Sequence, residues 1–382
     1  MASIWICTGS IAIRIGRTKA RQSRIPSTTK NFAMVAQIGA TAVRLAHYQH
    51  AQRFYDLCDE HGMVVWAEIP LVDKLTDAEA FFDNARQQMT ELIRQNYNHP
   101  SIFFWGIGNE QRKDDAPTNR LLKRLSALAR AEDPARLSAY AHCCSSETGA
   151  LTQHTDVIGY NAYFGWYHAT YDEFAAWADK LHAARPSRKI AISEYGAGGS
   201  IAQHAEHPAK PEPNGPWHPE EYQNLFHVAH WKAMQGRAFL WGKWVWNMFD
   251  FASDARIDGD HPGRNDKGLV TYDRKTKKDA FFWYKANWRE WSEADGKVVH
   301  ITSRRATSRA GSTVDVKVYS NADSVELKVN GVSAGLRSSK DRIFVWRGVA
   351  LGAGTNTVEA SGTKDGVSAV DSVTWTRAPG DR

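Results

Sequence analysis

From about residue 31 to residue 291 the sequence alternates short apolar runs with longer amphipathic stretches, and this rhythm constrains the fold more than any other feature. "TAVRLAHY" (41–48), "MVVWAEIP" (63–70), "SIFFWGIGNE" (101–110), residues 137–142, "DVIGYNAYF" (156–164), "RKIAISEYG" (188–196) and "AFLWGKWVWNMFDF" (238–251) read as strands. Residues 51–62, 77–99, 118–132, 172–184, 219–235 and 277–291 read as helices; the first buries Phe54, Leu57 and Cys58 on one face and stops at Gly62. Apolar strands separated by helices belong in a parallel sheet covered on both faces. No glycine-rich phosphate loop follows the first strand, which favours a TIM-type (β/α)8 barrel over a dinucleotide fold. Seven strands are one short of that barrel. Residues 3–15, "SIWICTGSIAIRI", are the candidate for the eighth, cut off from the rest by a polar run at 17–30. The expectation is an α/β barrel over residues 31–295, incomplete or irregular at its first strand, after an irregular segment at 1–30.

Beyond about residue 296 the texture changes. "VVHITS", "TVDVKVYS", "SVELKVNG", "IFVWRGV", "NTVEASG" and "VSAVDSVTWT" are short alternating runs punctuated by Gly, Asn and Ser. They predict a small immunoglobulin-like β-sandwich over 296–382, with a hairpin turn in "VNGVSAG".

The bulk numbers exclude several classes. The 382 residues carry a net charge of +6 with basic and acidic residues interspersed, so no basic stripe points to nucleic acid. No apolar run approaches the ~20 residues of a membrane span. Four cysteines, two of them adjacent, make neither a disulfide scaffold nor a zinc site. The 15 Trp residues are unusual; Trp fills cores, and it also offers flat platforms for sugar rings. The first residues make a poor signal peptide, which favours a cytoplasmic location, with a periplasmic or secreted one open for a longer parent.

Chemistry enters at the strand ends. "SIFFWGIG" runs straight into Asn109 and Glu110, and "KIAIS" into Glu194 and the loop "YGAGGS". A carboxylate at the C-terminal end of a buried strand is costly unless solvated, paired or used, and that end is where barrels do chemistry. Two such glutamates fit glycoside hydrolysis, in which one carboxylic acid protonates the leaving oxygen and a second carboxylate attacks the anomeric carbon or activates water. A gap of roughly 5–5.5 Å between them would mean retention of configuration. The plainer reading of either one is a charged strand end bridged to a neighbouring Arg.

"VRLAHYQH", "DLCDEHGMVVWAEIP", "NHPSIFFWGIGNE", "ISEYGAGGS" and "WVWNMFDF" resemble, in order, the catalytic barrel of glycoside hydrolase family 2, within its β-galactosidase branch. The sandwich, with "VYSNADSVELKVNG", is similar to an immunoglobulin-like domain that follows the barrel in many such enzymes. The resemblance implies a retaining hydrolase of carbohydrate metabolism, with Glu110 as acid/base and Glu194 as nucleophile. It implies that Tyr163 hydrogen-bonds the nucleophile, that Asn109 binds the sugar 2-hydroxyl and that Arg44 and His47 line the pocket. It makes Trp246 the stacking platform, with Asp250 and Trp166 as weaker candidates. Arg44 as a simple ion-pair partner of Glu194, and His47 as a satisfied strand-end histidine, remain open. In some relatives a carboxylate at Glu68 and a His two residues on help bind magnesium. Here that second position is Pro70, so no metal site and no cofactor are expected, and Glu68 is read as a supporting carboxylate.

Asn265 and Lys267, in "RNDKG", resemble the pair by which the β-glucuronidase branch holds a sugar carboxylate. The surrounding loop also resembles that of β-galactosidases, and "ISEYGAGGS" and "WNMFDF" lean the same way. The expected substrate is therefore a terminal β-galactoside, with a β-glucuronide as the alternative and mannosides behind both. The chain enters the family pattern near "AMVAQIGA", with no recognisable jelly-roll or linking sandwich before the barrel. A folded fragment that binds sugar without catalysing is thus a competing reading, and a homo-oligomer is expected to cover the open strand edge.

Overall fold

The structure, a computed structural model, describes residues 5–9 and 28–377. Eight parallel strands close a barrel in chain order: β1 (Trp5–Gly9), β2 (Ala42–Leu45), β3 (Val64–Glu68), β4 (Ile102–Asn109), β5 (Leu137–His142), β6 (Val157–Asn161), β7 (Ile190–Tyr195) and β8 (Leu240–Val245). Around it lie α1 (Thr28–Gln37), α2 (Gln52–Glu60), α3 (Glu79–Asn96), α4 (Ala116–Glu132), α5 (Glu173–Ala184), α6 (Glu220–Gln235) and α7 (Asp279–Trp288). The strand that the rhythm left open falls inside the 3–15 window. β1 pairs with β2 on one side and β8 on the other, so the barrel shows no open parallel edge among the described residues. That removes the reason given for expecting a homo-oligomer. α1 begins inside the segment read as an irregular tail and buries Phe32 and Val35; the rest of the polar run lies outside the described residues. The ladders shift register at several points, among them between Gly106 and Asn109 of β4 and along β7.

Aromatic side chains fill the barrel because small residues face them. Trp66 and Trp244 meet edge to face, with ring centroids 5.5 Å apart, and both are fully buried. A Cβ at Gly106 would come within 2.4 Å of both Trp66 and Glu68, and one at Gly242 within 2.0 Å of Trp244. The Gly in "FFWGIGNE" is therefore the space into which the neighbouring strand's Trp and Glu pack, which brings Glu68 against β4.

The run 238–251, read as one strand, breaks after Val245. Trp246 N–H still reaches Tyr195 O at 2.8 Å, but Asn247 N–H donates to Lys267 O at 3.1 Å and Asp250 N–H to Val270 O at 2.9 Å. The short strands β9 (Phe251–Ala252) and β10 (Arg264–Asn265) pair antiparallel. "WNMFDF" thus leaves the barrel ladder to bind the 265–270 loop, which ties that loop to the end of β8.

The C-terminal sandwich stacks a three-stranded sheet, β11 (Val299–Ile301), β13 (Thr313–Ser320) and β16 (Ile343–Ala350), on a five-stranded one. The latter runs β12 (Ser308–Arg309), β18 (Val367–Arg377), β17 (Gly354–Lys364), β14 (Ser324–Val329), β15 (Val332–Ser338). It docks on α6 and α7 through charge. Arg305 pairs with Glu220 and, at 3.0 Å, with Asp279, which also takes His300 Nε2 at 2.9 Å. Cys143 and Cys144 are joined by a disulfide, which links sequence neighbours and closes no loop, so the chain is still not a disulfide scaffold.

Trp66→Ala would leave a void in the barrel interior; the expected loss is about 3–5 kcal/mol. It is measured as a lowered urea midpoint, with Phe103→Ala, on a half-exposed side chain of β4, as the near-neutral comparison.

Candidate active site

Four barrel strands deliver the polar cluster at the C-terminal mouth. Arg44 projects from β2, Glu68 ends β3, Asn109 ends β4 and Glu194 is next to last in β7. All four are buried. The Arg44 guanidinium divides its donors among the other three and the Ser193 carbonyl, which Nη1 reaches at 3.3 Å. Nε and Nη2 grip the Glu68 carboxylate at 2.9 and 3.0 Å, Nη2 also donates to Asn109 Oδ1 at 2.8 Å, and Nη1 reaches Glu194 Oε1 at 2.7 Å. Burial works against its charge, but Glu68 and Glu194 outweigh that and raise its pKa. Burial alone would raise Glu68 likewise; Arg44 and His47, whose Nδ1 lies 2.7 Å from Glu68, hold it below its ordinary value.

Glu194 receives a second donor on its other oxygen, Tyr163 Oη at 2.7 Å. Tyr163 is pushed well above its usual range by burial and by the Glu194 charge, so it remains a donor. A carboxylate held by a guanidinium and a phenol is fixed in orientation.

Glu110 stands in the opposite situation. It follows the last residue of β4 with φ at +56°, a left-handed conformation costly for a side-chain-bearing residue. Its N–H is tied to Ala141 O at 2.9 Å. Its carboxylate accepts one hydrogen bond, from Asn161 Nδ2 at 2.8 Å. Burial first, and the Glu194 charge second, raise its pKa; Asn161 opposes them. One carboxyl thus meets a neutral amide, the other a guanidinium and a phenol.

His47 stacks on half-buried Trp246, ring centroids 5.1 Å apart, and its Nε2 lies 3.9 Å from Glu194. The Trp246 ring is therefore a wall beside Glu194. The 265–270 loop supplies the next wall. Asn265 is buried, and its Oδ1 accepts from Lys267 N at 3.1 Å. Lys267 is also buried; its Nζ lies 5.2 Å from the Trp166 ring and 5.1 Å from the Tyr167 ring. It has no hydrogen-bond partner among the described residues. Tyr167 packs on Tyr163 at 5.1 Å, so the ammonium sits one aromatic ring away from the residue that holds Glu194. Burial would raise the Tyr167 phenol, but Lys267 and Arg256 lower it.

The barrel of residues 17–292 matches the model of the glycosyl hydrolases family 2 TIM barrel domain, and residues 311–370 match a domain of unknown function. The chain belongs to glycosyl hydrolase family 2. A β-glucuronidase of Bacteroides fragilis is 42% identical over 340 residues, covering 87% of this chain and 48% of that protein. An FMN-binding β-glucuronidase of Faecalibacterium prausnitzii L2-6 superposes with a TM-score of 0.89 at 38% identity, over 99% of this chain and 56% of that one. A Bacteroides fragilis structure provisionally named a β-galactosidase gives 0.89 at 34% identity, over 98% and 55%. The chain spans about half the length of the relatives it matches.

Within this family 2 barrel the structure joins Arg44, His47, Asn109, Glu110, Tyr163, Glu194 and Trp246 in one contact network, with Asn265 and Lys267 beside it. Asp250 and Trp166 fall elsewhere. Asp250 pairs with Lys278 at 2.9 Å, and Trp166 is fully buried, so it offers no open face to a sugar. Asn161 was not singled out from the sequence. It ends β6, bonds both Glu110 and Asn109, and is itself held by Ser193 Oγ at 2.7 Å. The strand-end reasoning that found Asn109 applies to it equally.

The Glu110 environment predicts a linkage effect. A carboxyl with a raised folded pKa holds its proton in the native state after the unfolded chain has released it, so it costs stability as pH rises above the ordinary glutamate range. Glu110→Gln keeps an acceptor for Asn161 and removes the charge. The expected outcome is a mutant Tm above wild type at pH 7, with the gap closing toward pH 4, read by calorimetry.

Proposed function

We propose that the barrel is the catalytic domain of a retaining β-glycosidase whose preferred sugar carries a carboxylate, a β-glucuronidase. The observation that carries the sugar assignment is Lys267 Nζ, buried and without a hydrogen-bond partner among the described residues. A buried ammonium lacking a counter-charge is costly. The carboxylate at C6 of a glucuronide would supply the missing anion, and Asn265 stands beside it in the same loop. The β-glucuronidase names of the relatives support this choice over the galactoside preferred on sequence grounds. The galactoside reading keeps the support of one structural neighbour.

In the proposed reaction Glu110, whose pKa burial and the Glu194 charge raise, gives its proton to the glycosidic oxygen as the bond to the aglycone breaks. Glu194, held by Arg44 and Tyr163, attacks the anomeric carbon from the opposite face. Glu110, now a carboxylate, takes a proton from the water that hydrolyses the glycosyl-enzyme. Asn109, whose Oδ1 is engaged by Arg44, is placed to bind the 2-hydroxyl through its amide.

The test is hydrolysis of aryl β-glucuronide and aryl β-galactoside side by side, with Glu194→Gln as the blank. The expected result is turnover of the glucuronide, lost in the blank. Lys267→Ala should cost about 2–5 kcal/mol on the glucuronide, at least about 30-fold in kcat/KM, and little on the galactoside. Turnover of the galactoside alone would return the assignment to that sugar. No turnover of either by a cooperatively melting protein would support the non-catalytic reading.

The pH profile gives a further check. Activity should fall on the alkaline side as Glu110 loses its proton. Asn161→Ala removes the donor that favours the charged form, so it should move that limb to higher pH. A limb unmoved, or moved down, would remove Glu110 as the group responsible.

A further inference from the structure

Lys267 has a carboxylate as its immediate neighbour in sequence, yet does not pair with it. Among the described residues no Asp or Glu oxygen lies within ion-pair distance of its Nζ, although Asp266, Asp258 and Asp250 are all buried in the same corner. Each of these three carboxylates is committed to another side chain. Asp258 takes Arg256 Nη1 at 3.0 Å, Asp250 takes Lys278 Nζ at 2.9 Å, and Asp266 Oδ2 takes His218 Nδ1 at 2.7 Å. We infer that His218 determines the sugar preference of this site by sequestering Asp266, which leaves the Lys267 ammonium free for a substrate carboxylate. The inference rests on the β-glucuronidase reading and deepens it.

His218 is fully buried, and both its nitrogens face acceptors: Nδ1 the Asp266 carboxylate, Nε2 the Glu212 carbonyl at 3.2 Å. Neither partner of this ring can donate when Asp266 is ionised, and Asp266 is held below its ordinary pKa; burial would raise it, but His218 and the nearby lysines prevail. The ring is therefore fixed at both nitrogens, with Nδ1 occupying Asp266 Oδ2. Asp266 Oδ1 has no hydrogen-bond partner among the described residues, so the His218 bridge is the side-chain contact that compensates this carboxylate. Lys278 binds Asp266 through its backbone carbonyl, at 2.8 Å.

The backbone is shaped to close over this bridge. A Cβ at Gly198 would lie 2.5 Å from His218 Nδ1 and 2.7 Å from Asp266 Oδ1. Gly259, at φ +71°, would place one 2.7 Å from Asp266 Oδ2. The Trp166 indole packs against both side chains, edge-on to His218 at 4.9 Å and under Lys267 Nζ at 5.2 Å. Without the His218 contact, neither Asp266 side-chain oxygen would have a hydrogen-bond partner among the described residues, and pairing with the adjacent Lys267 would compete with substrate.

The experiment compares kcat/KM for an aryl β-glucuronide and the matched aryl β-glucoside, which differ at C6 only. It uses wild type, His218→Gln, Asp266→Asn and the double variant, each checked for a cooperative melt. The ratio of the two values reads carboxylate preference. His218→Gln is expected to lower that ratio at least ~10-fold, mainly through KM for the glucuronide. Adding Asp266→Asn should restore it to within about threefold, because the competing carboxylate is gone. Asp266→Asn alone should keep the ratio, which preserves the test if His218→Gln does not fold. An unchanged ratio in His218→Gln, or a double variant as poor as the single, would overturn the inference and leave His218 a packing residue. A tenfold loss in Asp266→Asn alone would overturn it too. So would one equivalent of divalent metal in the wild type that is lost in His218→Gln, since His218, Asp258 and Asp266 lie close enough to share an ion. A wild type with no preference for the glucuronide fails the parent reading instead. Where turnover is absent, calorimetric binding of glucuronate against glucose supplies the same ratio.

Discussion

The Arg44 guanidinium organises this molecule's working end. It stands on β2 and holds β3, β4 and β7 together through Glu68, Asn109 and Glu194. Without it, two buried carboxylates would face each other across the barrel mouth with no permanent positive charge between them, an arrangement that costs several kcal/mol. The guanidinium is suited to this because its planar fork offers fixed donors in several directions and its charge survives burial. Strand order, the small residues that let Trp66 and Glu68 pack, and the register shift in β4 all serve to bring those three partners within its reach.

From that charge follows the difference between the two glutamates. Glu194 is bound by Arg44 and by the Tyr163 phenol. Glu110, turned into a left-handed conformation beyond the strand end, keeps only the Asn161 amide and feels the Glu194 charge. The same residue type therefore meets two different sets of partners within one cleft, and the one around Glu110 favours the acid. The proposed chemistry needs nothing further from the protein than this asymmetry and a wall to hold the sugar.

The wall comes from a second layer of charge outside the barrel ladder. The chain after β8 abandons the barrel and pairs with residues 265–270, so that Trp246 and Lys267 are placed by one set of backbone hydrogen bonds. Behind them, Lys278 secures the loop through the Gly199 and Asp266 carbonyls. The next residue, Asp279, begins α7 and joins Arg305 and His300 of the sandwich. The C-terminal domain is thus connected to the 265–270 loop through two consecutive residues, Lys278 and Asp279.

Much of this was legible in the sequence. Alternating apolar runs and amphipathic helices specify a covered parallel sheet, because strand and helix periods are local properties of the side-chain pattern. Polar residues that interrupt a buried strand at its C-terminal end, such as Asn109, Glu110 and Glu194, stand out because burying them has a cost that any local reading can see. The same reasoning, carried through "VIGYN", would have reached Asn161. What the sequence could not decide was pairing between distant segments. β1 lies apart from the other strands behind a polar run, and only its ladders with β2 and β8 show that it closes the barrel. "WVWNMFDF" has the composition of one long strand, but hydrogen bonds to a loop some twenty residues later end it at Val245. Lys267 lies next to Asp266 in the chain, and in one dimension the two charges cancel. Only the folded structure gives Asp266 to His218, 48 residues away, and leaves the lysine unpaired. Composition and periodicity act along the chain, whereas the partner of a buried charge is chosen by whatever the fold brings within three ångströms of it.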